Sequence, residues 1–457
     1  MKFRMPHIFI VLFIAIILAG IVTWIVPAGE YQRTDGVDGR EVIDPDTYHH
    51  IASNPSGIMD ILSAIPRGLV DAGEVVFAVL IVGGAFGVIH ATKTIDLGLN
   101  RFTKAFKGKE IFMIPIIMVI FGLIASFIGT PELTLIYIPI ILSLSLTNKW
   151  DSMTAVAITL IGVTAGFGTA LISPFSVGLA QQLAEVKIGS GIGLRVIVFL
   201  AMLLSGALYI LHYVKKITKN PDSSLTKEED KTIEVEIEDN NTKANYRHGL
   251  TGIILLGGLV VFVYGVINHG WYLTELSAVF IFITVLVALV HRMKLDTIAH
   301  EFTNGCKSVL VGALVVGFAR GIALLLEDGL IMDTIISALS SLVANLPSGI
   351  TAVGMLLVQT IINFVVPSSS GQAVIAMPIM IPIADIVDVS RQTTILAFQL
   401  GDGLSNIFFP TSGYFMATLA MAKVPYQKWI KFFAPLMGIW LIIGGIALFV
   451  AQVIGWQ

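Results

Sequence analysis

Long apolar runs and short polar turns alternate along the chain, and the apolar runs are of two kinds. One kind is unbroken for about the 20 residues that a membrane-crossing helix needs. Runs of this kind are Ile8 to Val26, Val70 to Ala91, Ile192 to Tyr213, Leu250 to Ile267, Leu273 to Val290, Val309 to Leu326 and Trp429 to Val450. The other kind is interrupted. Two double arms, Ile111 to Ile128 with Leu133 to Leu146 and Ile350 to Val366 with Gln372 to Val387, each fold about a small polar tip and carry a proline, Pro139 or Pro378, in the second arm. Each is followed by a run too long for one plain span and broken by Gly, Ser and Pro: Ser152 to Glu185 and Thr393 to Ala422. Irregular backbone at membrane depth is tolerated only where it is buried in protein or lines a cavity. Paired interrupted segments in two halves of a chain point to a transporter's binding site.

Composition removes the soluble classes. With 55% hydrophobic and 13% charged residues and a mean hydropathy of +0.86, the apolar residues exceed what an ordinary soluble core can hide. The net charge of -3 gives no sign of a nucleic-acid partner; in a membrane protein the location of Lys and Arg matters more than their sum. The single cysteine, Cys306, excludes an internal disulfide and reads as a small packing residue. His49 and His50 lack spaced partners and read as solvated loop rather than a metal site.

Charge along the chain sets an expected orientation. The first run is too long for a signal peptide, so it reads as a retained span with Lys2 and Arg4 on the cytoplasmic side. Glu30 to Arg67 is acidic and turn-rich, as an external loop would be. Lys93, Arg101, Lys104, Lys107 and Lys109 then mark the cytoplasm. Asn220 to Asn245 is the only long hydrophilic stretch and reads as a mobile cytoplasmic linker. The expected plan is therefore a first half over residues 1–215, a linker over 216–248 and a second half over 249–457. The double arms at 111–146 and 350–387 enter from opposite faces, and the C-terminus lies outside. Loop charges do not choose between two full crossings and a re-entrant hairpin; the short second arm with Pro139 favours the hairpin. The fold class expected is an all-α polytopic membrane protein built as an inverted repeat with two re-entrant hairpins and two broken helices.

Several motifs fall into a family pattern: Met5, Pro6, His7 with Val26 to Glu30; Gly83 to Gly87; Pro174, Phe175; Val366, Pro367, Ser368; Phe398 to Gly403; and Pro410 to Gly413. Over nearly the whole chain the sequence resembles the YfcC family, a branch of the DcuC-type anaerobic dicarboxylate carriers in the ion transporter superfamily. Its members are variously associated with four-carbon dicarboxylates and with arginine and ornithine exchange. The resemblance implies a secondary transporter of a small carboxylate-bearing metabolite or amino acid in the bacterial inner membrane, with membrane lipids and a second copy of the chain as partners. It also implies an elevator mechanism, in which a transport domain of hairpins and broken helices moves against a fixed scaffold. No cofactor is expected beyond Na+ or H+ as coupling ion.

Carried over from the family, the substrate-binding positions are Ser368, Ser369, Ser370, Gly371, Asn406, Pro410, Thr411 and Ser412 in the second half. In the first half they are Thr130, Ser173 and Pro174, with Gly129 at the same tip. Pro131 and Ser173 stand where a second acidic residue and an Asn are expected, so the ligand set of the first half departs from the pattern. A polar tip exposes helix N-terminal amides that attract a carboxylate, although Ser and Thr also simply hydrogen-bond within membrane helices. Glu132, Asp402 and Arg320 are ionisable groups inside predicted spans, where each costs about 2.5–3.5 kcal/mol. Glu132 and Asp402 are candidates for the coupling ion or proton. Arg320 is either a partner for a substrate carboxylate or a structural partner of Asp402 or Glu327. An enzyme is disfavoured, since His300, Glu301 lacks the second His of a zincin and no P-loop is present. A channel remains the rival, because hairpins also build selectivity filters.

Overall fold

Each apolar run forms helix, and the interrupted runs break at their polar tips. A computed structural model describes residues 8–35, 41–95, 97–98, 106–233, 245–343 and 347–456. Lys2, Arg4, Met5 to His7, Arg101, Lys104, the linker from Glu234 to Ala244, and Gln457 lie outside them. Eight described helices are long and apolar enough to cross a membrane, among them Gly73–Ala91, Ile192–Lys219, Leu273–His291, Leu295–Asp328 and Tyr426–Val453.

The first double arm is Met113–Ile128 and Thr134–Thr147. Gly129 ends the first arm in the left-handed region at φ 74°, which glycine adopts without strain, and Pro131 opens a single 3-10 turn, Pro131–Leu133, into the second. The second double arm is Ser348–Val365 and Ser369–Ile386, with Ser368 as the N-cap of its second helix. The broken runs are Ser152–Phe167 followed by Leu179–Leu183, and Arg391–Ser405 followed by Gly413–Met421. Both begin at a side-chain cap: Asp151 accepts from the Thr154 amide at 2.9 Å and Ser390 from the Thr393 amide at 3.1 Å, satisfying amides that helix starts leave free. The two broken runs meet at Gly168 and Gly403, where a Cβ on Gly403 would overlap the Gly168 backbone.

The expected plan needs correction in four places. Ile58–Asp71 is a helix rather than the end of a loop. Its Pro66, Asp60 and Arg67 disguised an amphipathic stretch whose Ala64 and Gly68 pack against Gly317 and Gly321. The amphipathic stretch before Val309 and the span after it are one 34-residue helix, Leu295–Asp328, because Gly83 and Gly87 of the neighbouring helix pack closely along it at Glu301 and Gly305. A short helix, Met332–Val343, had no counterpart in the expected elements. The described part of the linker is docked, not free. Asp230 accepts from the Ser152 amide at 3.3 Å, Lys428 pairs with Glu229 at 2.7 Å and Lys423 donates to the Thr232 carbonyl at 2.8 Å.

The loop after the first helix forms two small antiparallel pairs, Gly29–Glu30 with His49–His50 and Arg33–Asp35 with Glu41–Ile43. His49 Nε2 lies 3.5 Å from Glu30. Arg33 pairs with Asp333 at 3.1 Å, and Arg67 binds Asp328 through two hydrogen bonds, tying this loop and Ile58–Asp71 to the end of the long helix and the short helix after it.

Candidate functional site

A cavity of about 370 Å³ lies where the two tips approach each other. Gly129, Thr130, Pro131 and Glu132 line it from the first tip, and Pro367, Ser368, Ser369 and Ser370 from the second. The breaks add Phe167, Asn406, Gly413 and Tyr414, while Val75 and Tyr272 close it from the neighbouring helices. Thr418 Oγ1 donates to Thr134 Oγ1 at 3.0 Å, fixing the second broken run against the first hairpin.

The second tip is tied directly to the second break. Ser369 Oγ donates to Asp402 Oδ2 at 2.5 Å and Asn406 Nδ2 to Asp402 Oδ1 at 2.9 Å. Asp402 is fully buried, so these two neutral donors are what holds its carboxylate. Asn363, one turn before the tip, donates to the Asp402 carbonyl at 3.0 Å and to Ser405 Oγ at 2.7 Å. Gln372 donates to the carbonyl and side-chain oxygens of Gln359, joining the two arms.

Among the described residues, the first tip carries the only carboxylate in the cavity wall. Glu132 Oε1 accepts from Tyr272 Oη at 2.8 Å, whereas its Oε2 bonds to no described protein donor. The hydroxyls of Thr130 and Thr411 are likewise buried without a partner among the described residues. No basic side chain stands in the cavity wall among the described residues. The wall therefore offers one free carboxylate oxygen, aromatic faces, and the N-terminal end of Ser369–Ile386, whose free amides suit an anion.

Of the positions expected from sequence, Gly129, Thr130, Glu132, Ser368, Ser369, Ser370 and Asn406 meet in this cavity. Asp402 lies just behind it, bonded to Ser369 and Asn406 of its wall. Gly371 sits one turn into its helix, donating its amide to Ser368 Oγ at 3.3 Å. Pro410, Thr411 and Ser412 form the break that precedes Tyr414. Ser173 lies outside, on a separate apolar cleft with Phe127, Ile172 and Val266, where its Oγ accepts from Ser176 at 2.8 Å; Pro174 opens the turn Pro174–Gly178 beside it. Arg320 is also outside the cavity. It pairs with Asp71 and with Glu327, the latter at 3.1 Å, at one end of the long helix, so of its two expected partners it takes Glu327 and not Asp402.

Sequence reasoning missed Tyr272, Tyr414, Phe167 and Val75, which carry no linear signal. Asn363 and Gln359 in the second double arm and Gln399 in the second broken run were visible as amides inside apolar runs, where a buried polar group needs a stated partner. Gln399 Nε2 donates to the Phe167 carbonyl at 2.8 Å, and the fully buried Arg195 donates to the Thr169 carbonyl at 3.3 Å.

Comparison with known proteins supplies the family. The profile of the C4-dicarboxylate anaerobic carriers, DcuC, matches residues 5–453. The "Putative basic amino acid antiporter YfcC" of Escherichia coli (strain K12) is 32% identical over 496 aligned residues, covering 100% of this chain and 98% of that protein. An uncharacterized protein of Haemophilus influenzae is 29% identical, covering 98% and 97%. Among solved structures, the Alcanivorax borkumensis YdaH transporter aligns over 99% of both chains at 15% identity and a TM-score of 0.43. Neisseria gonorrhoeae MtrF aligns over 98% of this chain and 95% of its own at 16% identity and a TM-score of 0.41. With a family profile spanning almost its whole length, this chain belongs to the C4-dicarboxylate anaerobic carrier family of membrane transporters.

Proposed function

We propose that the protein is a secondary transporter exchanging amino acids with a cationic side chain across the bacterial cytoplasmic membrane. The observation that carries this reading is the charge of the cavity: one carboxylate, Glu132, with a free oxygen, and no basic side chain in the wall among the described residues. A four-carbon dicarboxylate would bring two negative charges beside Glu132 with no cationic side chain to meet them. A basic amino acid fits both ends of the cavity. Its α-carboxylate meets the free amides of Ser369 and Ser370 and the hydroxyls of Ser368 and Ser370, and its side-chain ammonium or guanidinium meets Glu132 Oε2 between Tyr272 and Tyr414. The name of the Escherichia coli relative points the same way.

Asp402, held by Ser369 and Asn406, is the group that takes the coupling cation or proton. Its position one helical turn from the end of Arg391–Ser405 puts a carboxylate beside carbonyls that already carry partial negative charge, an arrangement that calls for a positive partner. The two halves form an inverted repeat with hairpins entering from opposite faces. The tips and broken helices move together as a transport domain, sliding past the scaffold helices that carry Val75 and Tyr272.

Counterflow in proteoliposomes tests the reading. Vesicles preloaded with unlabelled arginine, lysine or ornithine should accumulate external labelled arginine, and malate or succinate should neither drive this uptake nor compete with it. Dicarboxylate exchange without arginine exchange would sink the proposal, and single-channel currents would replace the carrier with a channel.

A further inference from the structure

The two breaks, similar in sequence, carry opposite charge. At the second break the buried ionisable group is the Asp402 carboxylate, and both side chains bonded to it, Ser369 and Asn406, are neutral. At the first break it is Arg195. This guanidinium is fully buried, donates from Nη1 to the Thr169 carbonyl at 3.3 Å, and leaves Nε and Nη2 without an acceptor among the described residues. No carboxylate pairs with it among the described residues; the Trp456 ring lies beside it, its centre 5.8 Å from the guanidinium carbon.

Thr169 lies just past the C-terminal end of Ser152–Phe167, where the helix leaves its last carbonyls free and its dipole presents partial negative charge. Such ends, at discontinuous helices, are where transporters hold bound cations. Here Gln399 takes the Phe167 carbonyl and Arg195 the Thr169 carbonyl. A buried cation without a counter-charge is expensive inside a membrane, so its place beside a helix C-terminus offsets part of that cost and supplies the positive charge that the end attracts.

We propose that Arg195 is a resident cation: its guanidinium fills at the first break the role that a bound alkali cation fills at an open helix end, so that cation binding is confined to the Asp402 break. Arg195 is then a positioning residue, holding the first break against the helix Ile192–Lys219 without help from solution.

Thermal unfolding of the purified full-length chain in choline, sodium or potassium chloride at equal ionic strength tests this without any substrate. Arg195→Lys keeps the charge and changes the shape; Arg195→Gln keeps a donor and removes the charge. To silence the second break and the free Glu132 oxygen, both are also placed in an Asp402→Asn, Glu132→Gln background. There, the chain that retains Arg195 and the Arg195→Lys variant should each unfold at one temperature in all three salts. The Arg195→Gln variant should instead gain a rise of about 2–4 °C in sodium or potassium over choline, the size expected for a weakly bound stabilising ligand. An Arg195→Gln chain with no new cation response overturns the proposal, as does one that fails to fold in every salt, since a missing resident cation is replaceable from solution. A cation response already present in the Asp402→Asn, Glu132→Gln chain with Arg195 intact also overturns it. The response of the unmutated chain reports separately on the Asp402 site, so failure there is distinguishable from failure at Arg195.

Discussion

Glu132→Gln tests the cavity's electrostatics most directly. The structure sets the size of the effect: Tyr272 already occupies Oε1 at 2.8 Å, and Oε2 has no donor among the described residues, so a substrate cation has one carboxylate oxygen to engage. A hydrogen bond involving a charged group is worth about 1.5–3 kcal/mol, or about 10- to 100-fold in half-saturation at 1.4 kcal/mol per decade. Glutamine keeps the shape and can still accept from Tyr272, so folding should be unchanged. The assay is inhibition of labelled-arginine counterflow by unlabelled arginine and by citrulline, which has nearly the same shape with a neutral head group. The native chain should prefer arginine by about that factor, and Glu132→Gln should close the gap by weakening arginine while leaving citrulline nearly unaffected. Equal weakening of both ligands, or a preserved preference for arginine, would refute the assignment of Glu132 to the substrate cation.

Other substitutions probe the surrounding structure. Ser369→Ala removes one of the two donors to the buried Asp402 carboxylate and should abolish counterflow while the protein stays monodisperse; native rates would remove the second tip from the site. Arg320→Met breaks the pairs with Asp71 and Glu327 and should cost at most about 1 kcal/mol of stability with transport intact, so lost counterflow would return Arg320 to the mechanism. Gly403→Ala forces a methyl against Gly168, an overpacking that costs about 1–3 kcal/mol; an unchanged melting temperature would refute the close crossing of the broken helices. In the docked linker, burial holds the Asp230 carboxyl above the ordinary carboxylate range. A raised folded-state value means that its contribution to stability is present at low pH and lost as pH rises through that value. Asp230→Asn should therefore match or exceed the native melting temperature at pH 7 and flatten the fall above the carboxylate range, and a clear drop at pH 7 would show that the ionised group is a net stabiliser.

Which features were legible in the sequence follows from the physics of each. Pro139, Pro378 and the Gly, Ser and Pro of the interrupted runs mark irregular backbone whatever surrounds it, so the double arms and both breaks were readable within a few residues. Helix Ile58–Asp71 was hidden because its apolar face is narrow and is completed by glycine contacts with a distant helix. The linker resembled a solvated charged segment because its partners, Ser152, Lys423 and Lys428, come from other parts of the chain.

By itself, the sequence determined that this chain is a multi-pass membrane protein, which of its apolar runs are interrupted, and which two tips are polar, because hydropathy, proline and glycine act locally. It also narrowed the ionisable candidates to Glu132, Asp402 and Arg320, since charge inside a span is costly wherever it occurs, but passed over Arg195 in the run Ile192 to Tyr213. Tertiary structure alone decided what those charges do. Packing brought Glu132 against Tyr272 across 140 positions of chain, joined Asp402 to the second tip, drew Arg320 out to Asp71 and Glu327, and set Arg195 against the first break. Pairing of charges depends on distances of a few ångströms between segments far apart in sequence, and only the assembled helices fix those distances.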